Sequence, residues 1–99
     1  TAQRLDALPG VPTVAEAGLP GFEAYTWGGV AVPAGVPQAI VLKLNGEIGK
    51  ILKMPDVQAK LVAQGAVLVG GTSLEFAAFI KAEIAKWGKV IRDANVRPE

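Results

Sequence analysis

The sequence predicts an α/β fold, rich in helix and with two short strands. Three observations predict it. Apolar residues recur at helical spacing over residues 38–53 and 73–94. Two short runs, 23–32 and 66–69, have strand composition. Gly and Pro punctuate the junctions between these stretches.

Residues 1–10 read as an opening loop, with Leu5 and Leu8 its only large apolar side chains. Residues 13–17 predict a short helix. Thr13 suits the N-cap, Glu16 stands at the capping-box spacing, and Gly18 can take the left-handed position that closes a helix. A helix this short depends on packing, because a single turn is unstable alone.

Residues 23–32 predict a strand, with Tyr25, Thr26, Trp27, Val30 and Val32 supplying aromatic and β-branched side chains. The two-residue period places Tyr25, Trp27 and Gly29 on one face and Thr26, Gly28 and Val30 on the other. The adjacent glycines weaken a strand and suggest a bulge, a bend, or close approach of another group to the backbone.

After the rigid Pro33–Pro37 loop, a helix is expected over 38–53, opened by Pro37. Its stripe is Ile40, Leu44, Ile48, Ile51 and Leu52. Gly46 and Gly49 on this helix mark either close backbone packing or ordinary tolerance. Asp56 suits the N-cap of a further helix ending near Gln64, with Gly65 at its C′ position and Val57 and Leu61 facing inward. The run 66–69, flanked by glycines, reads as a buried strand. Thr72 and Glu75 repeat the capping-box spacing ahead of the last helix, 73–94. Phe76, Ile80, Ile84, Trp87 and Ile91 form its apolar stripe with Phe79 beside it, while Lys81, Lys86, Lys89 and Arg92 are expected toward solvent.

Composition limits the function classes. The 51% hydrophobic and 19% charged content excludes intrinsic disorder, which needs the opposite balance. A net charge of +1 gives no footprint for nucleic acid. The absence of Cys removes disulfides, thiolate metal sites and Cys catalysis. The absence of His removes the usual general base and the commonest metal ligand, so no Ser-His-Asp arrangement can form within the chain. No metal or organic cofactor is indicated. No apolar run approaches the roughly 20 residues of a membrane span. The 99 residues make one small domain or part of a larger one, and Thr1 at the first position fits a processed or excised piece. Two strands do not make a stable sheet alone, so the sequence predicts a fragment whose strands pair outside the chain, or two copies that exchange elements.

Several stretches resemble one receptor family in order along nearly the whole chain. Leu8-Pro9-Gly10-Val11-Pro12-Thr13-Val14-Ala15-Glu16-Ala17-Gly18 resembles its "LPDVPTVAEAG" segment. Trp27-Gly28-Gly29 followed by Pro33-Ala34-Gly35-Val36-Pro37 resembles its "W-x-G, x-x-P-A-G-T-P" segment. Residues 41–50, 55–65 and 83–95 resemble its "V-x-K-L-N-x-E-I", "PDV-x-x-K-L-x-x-x-G" and "E-x-x-K-W-x-x-V-I-K-x-A-N" helices. Gly10 in place of an acidic residue and Val36 in place of Thr are the small departures. The family is the Bug-type, TctC-like substrate-binding receptors of tripartite tricarboxylate transporters.

The resemblance implies the C-terminal third of a two-lobed periplasmic binding protein of type II-like fold. Residues 1–36 would be the segment crossing between lobes, and 37–99 the C-terminal helices and short strand packed on the first lobe. The implied role is to bind a small carboxylate or similar polar solute in the inter-lobe cleft and deliver it to the transporter's membrane permease subunits. The implied location is the periplasm. The implied partners are also the missing lobes or a second copy of the chain.

On the crossing strand, the candidate ligand-binding residues are Tyr25, Thr26, Trp27, Gly28 and Gly29. Tyr25 and Trp27 either wall a solute or pack as core or hinge aromatics. Gly28 and Gly29 either offer backbone N–H groups to a carboxylate or serve a bend. Thr26 either donates its hydroxyl or is an ordinary strand residue. Thr13, Glu16, Thr72 and Glu75 read as caps, and Trp87 as core. No catalytic residue is proposed. The alternative to a receptor is a structural or self-associating α/β module; an enzyme using only carboxylates is disfavoured by the missing His and Cys.

Overall fold

The computed structural model describes all residues 1–99 and contains three helices and no strand. The helices are α1 (Gln38–Leu52), α2 (Pro55–Ala63) and α3 (Ser73–Asp93). The α/β expectation is therefore overturned. Residues 23–32 and 66–69 carry no regular secondary structure and form no ladder. The reason is physical. Strand composition describes a side-chain surface, whereas a strand exists only where a second segment answers its N–H and C=O groups. Neither stretch meets one.

The helices lie close to their expected places because their ends are set locally. Pro37 is the N-cap residue of α1, so the helix proper starts at Gln38. In α2, Pro55 occupies the first turn behind Met54, and Asp56 is not the cap but an acidic residue within that turn. There it still complements the helix dipole. Thr72 caps α3, its hydroxyl accepting the Glu75 N–H at 3.1 Å. Glu75 gives no reciprocal bond; its carboxylate lies against Gly71 instead.

Both later helices close with paired carbonyl contacts. At α2, Ala66 N–H reaches Leu61 O and Gly65 N–H reaches Val62 O, with Gly65 at φ +79°. At α3, Val96 reaches Ile91 O and Asn95 reaches Arg92 O, and Asn95 stands at φ 51°. This is the Schellman arrangement, with glycine or asparagine in the left-handed position.

The predicted helix over 13–17 is a single closed turn instead. Ala17 N–H bonds to Thr13 O, and Leu19 and Gly18 close the far end on Val14 O and Ala15 O. Caps occupy both ends and leave no room for helical propagation between them, which is what makes a nucleus cheap to extend.

Helix α1 touches both α2 and α3, which do not touch each other. Asn45 Nδ2 donates to Gly71 O at 2.9 Å and ties α1 to the loop ahead of α3. Gln58 Nε2 donates to Leu52 O at 3.0 Å and satisfies the end of α1. The inward face of α1 is Val41, Asn45, Ile48, Gly49 and Leu52, one position off the predicted stripe; Ile40, Leu44 and Ile51 stay exposed. A methyl group at Gly46 or Gly49 would meet nothing within 4 Å, so these glycines do not serve close packing. Val57 and Leu61 are half-buried, as expected.

No apolar side chain is fully buried, and Thr13 is the only buried residue. The chain exposes 8286 Å²; a compact monomer of 10.2 kDa exposes about 5,300 Å². Its radius of gyration is 16.7 Å, against about 13 Å for a compact domain of this length. Local caps and aromatic contacts, not a core, organise the chain. A dilute, monomeric 99-residue chain should therefore melt without a sharp transition and protect few amides outside α1 to α3. Hydrogen exchange and calorimetry check this. A sharp, concentration-independent melt from a monomer would contradict it.

Candidate functional site

The five candidate residues lie on the segment 23–32, which runs along the aromatic face of α3. Phe76 and Phe79 stand one helical turn apart, so both rings project from the same side of α3. Their centroids are 6.4 Å apart at 13°. Trp27 meets both edge-on, at 5.6 Å and 86° to Phe76 and 5.2 Å and 81° to Phe79. Tyr25 stacks on Phe79 at 6.5 Å and 17°.

Gly29 lies under Phe76. A methyl group there would meet Cζ of the ring and stand 2.9 Å from Cε1 and 3.2 Å from Cε2. Gly29 has no positive φ, so close approach of the ring, not backbone conformation, is what calls for glycine. Gly28 has nothing near it. Tyr25, Trp27 and Gly29 thus turn to α3 together, as the two-residue period requires of extended backbone. The segment keeps that period without belonging to a sheet.

Lys86 adds a polar tie, its ammonium donating to Glu23 O. The same ammonium stands 5.2 Å from the Trp87 ring centroid. Lys86 is half-buried, unlike the exposed Lys81, Lys89 and Arg92. Aromatic pairs contribute about 0.5–1.5 kcal/mol each beyond area burial. Three ring contacts therefore outweigh one lysine bond in holding the segment.

Ala24, Tyr25, Thr26, Trp27 and Trp87 line an open, mainly apolar concavity. Trp87 was expected in a core. It is 36% exposed, and its indole N–H is committed to Glu83 Oε2 at 2.8 Å. Its place at this wall was missed because helical periodicity reports an apolar face and not what covers it. Chemically, the concavity offers flat walls and backbone polar groups. There is no cluster of His, Cys, Asp or Glu that could hold a metal ion, and no helix is long and apolar enough to cross a membrane.

A second polar arrangement organises residues 4–16. Thr13 N–H donates to Glu16 Oε2 and Glu16 N–H to Thr13 Oγ1, each at 3.1 Å, completing the predicted capping box. Arg4 Nε joins the same carboxylate oxygen at 2.8 Å, and its Nη1 donates to Pro9 O at 3.1 Å. Sequence spacing gave no sign of Arg4, because its partner is 12 residues away.

The sequence matches the Tripartite tricarboxylate transporter family receptor over residues 1–96. The chain belongs to this receptor family. Among its relatives, the UPF0065 protein in the tcbD-tcbE intergenic region of Pseudomonas sp. (strain P51) is 47% identical over 85 residues, 85% of this chain and 25% of that protein. The UPF0065 protein in the clcB-clcD intergenic region of Pseudomonas knackmussii is 40% identical over 90 residues, 90% of this chain and 53% of that protein. BugT of Bordetella pertussis is 35% identical over 97 residues, 98% of this chain and 30% of that protein. The resemblance to Bug-type receptors is borne out. The chain spans 25% to 53% of these relatives' length. No solved structure matches it.

The capping box at Thr13 and Glu16 has a testable electrostatic consequence. Arg4 and the Thr13 N–H hold the Glu16 carboxyl below its ordinary value of 4.5. A depressed carboxyl contributes its stabilisation fully above that value and loses it as pH falls through the lowered one. The Thr13 and Glu16 amide resonances should therefore stay put through mildly acidic pH and move only below 4.5. Arg4→Ala should shift that midpoint upward. An NMR titration in which Arg4→Ala leaves the midpoint unchanged would contradict the assignment.

Proposed function

We propose that this protein works as part of an extracytoplasmic solute receptor, binding a small carboxylate-containing solute and delivering it to the membrane permease of a tripartite tricarboxylate-type transporter. The family match over residues 1–96 carries this reading. The open, shallow concavity at Tyr25, Thr26 and Trp27 fits this reading as one wall of a site that needs further surface to enclose a solute. Gly28 and Gly29 follow these residues in the chain without lining the concavity. The role is binding and not turnover, and its place is the periplasm.

In this reading residues 1–36 cross between the lobes of a longer receptor and 37–99 pack on the first lobe. The exposed apolar faces of α1 and α3 support the division, because they present surface that a larger body would cover. Closure around the solute would be driven by its tighter binding to the closed form.

Trp27→Ala in the natural protein that carries these residues is the test. Losing an interface aromatic that anchors a ligand costs more than about 1 kcal/mol, so calorimetry with citrate on the folded variant should show roughly fivefold or greater weakening, beyond its effect on folding. Unchanged affinity would remove Trp27 from the site. A protein that binds none of citrate, succinate and glutamate would overturn the carboxylate reading.

The bare apolar surface favours a second reading, a self-associating module without solute. Light scattering over a concentration series separates the two. Tight self-association with no response to these solutes would support the module.

A further inference from the structure

We infer that Phe76 and Phe79 are positioning residues that set the pose of Tyr25 and Trp27 at the solute site, and that Gly29 lacks a side chain so that Phe76 can take the place beneath Trp27. The inference rests on the solute-site reading above. Two independent observations carry it. One is the pair of edge-on contacts, 5.6 and 5.2 Å, by which Trp27 sits against both phenyl rings. The other is the occupancy of the space above Gly29, where any Cβ would run into the tip of Phe76.

The geometry makes the coupling directional. Phe76 is a side chain and can swing aside, so a methyl at Gly29 does not break the backbone. It expels the ring. That movement removes the edge contact with Trp27 and disturbs the Phe76–Phe79 stack on which Tyr25 also rests. Trp27 would then keep its place in the chain but lose its orientation toward the concavity. Two phenyl rings of α3 that do not line the concavity thereby decide how Tyr25 and Trp27, which do, stand. Edge-on and stacked pairs are orientation-dependent, which is why a ring at position 76 specifies a pose where an aliphatic side chain would only fill space.

The experiment uses the natural protein carrying residues 1–99, labelled with 5-fluorotryptophan and assigned through Trp27→Phe. Gly29→Ala and Phe76→Leu are each expected to move the Trp27 fluorine resonance and weaken citrate binding about two- to tenfold, the loss of one aromatic pair. Any fall in Tm should be no more than the loss of about one aromatic pair brings, and both readouts are taken on folded protein. Leu at 76 has no atoms where the ring tip lies, so Gly29→Ala should add little to Phe76→Leu. Strict additivity would overturn the steric link. A Trp27 resonance and citrate affinity unchanged in both single variants would overturn the inference. Should Gly29→Ala fail to fold, Phe76→Leu alone decides by the same two readouts. If Trp27→Ala leaves citrate affinity unchanged, the solute-site reading fails by itself, and the fluorine shift still decides whether Phe76 poses Trp27.

Discussion

The seating of Trp27 against Phe76 and Phe79 is the contact on which the rest of the arrangement depends. Without it the segment has no sheet to hold it, and its remaining ties are the Lys86 ammonium reaching Glu23 O and the Thr1 ammonium reaching Ala24 O. Because the rings come from one face of α3, the segment's direction follows the helix axis. Because Tyr25, Trp27 and Gly29 alternate with Thr26 and Gly28, the segment presents one face to α3 and leaves the other free. A concavity bounded by Tyr25, Thr26, Trp27 and Trp87 is the geometric result.

That contact operates in a chain without an interior. Surface about 3,000 Å² larger than a compact protein of equal mass would expose is close to what an obligate interface buries. The apolar residues are not randomly scattered. Ile84 and Ile91 on α3 and Ile40, Leu44 and Ile51 on α1 are all exposed. Each of these helices thus carries apolar side chains that nothing in the chain covers. The relatives that this chain matches are longer, and it spans 25% and 30% of two of them.

What was legible in the sequence was local. Pro37, Thr72, Gly65 and the helical periodicity placed three helices to within about two residues, the ordinary uncertainty of such ends. Thr13 and Glu16 formed the reciprocal cap that their spacing implied. The two strands read from composition at 23–32 and 66–69 do not form, because composition does not say whether a pairing segment is present. The same limit explains Arg4, whose bond to Glu16 spans 12 residues, and the one-position rotation of the α1 stripe, which is set by Asn45 bonding the loop at Gly71. Trp87 fits the periodic stripe yet faces a concavity, since period fixes a side of the helix and not its neighbour. The aromatic and glycine pattern of 25–29 did mark the segment that meets α3, although the reason for Gly29 became visible only with Phe76 above it.

The two organised parts of residues 1–36 are built on different physics. Around Thr13 the chain closes on charge-assisted hydrogen bonds, which tolerate exposure because their geometry is satisfied within a few residues. Around Trp27 it closes on ring contacts, which gain strength as water is excluded and so depend on what lies over them. The first arrangement can therefore persist whatever surrounds it, while the second tightens when another surface covers the rings. A segment seated by rings and left half-open is the part of residues 1–36 most sensitive to its surroundings.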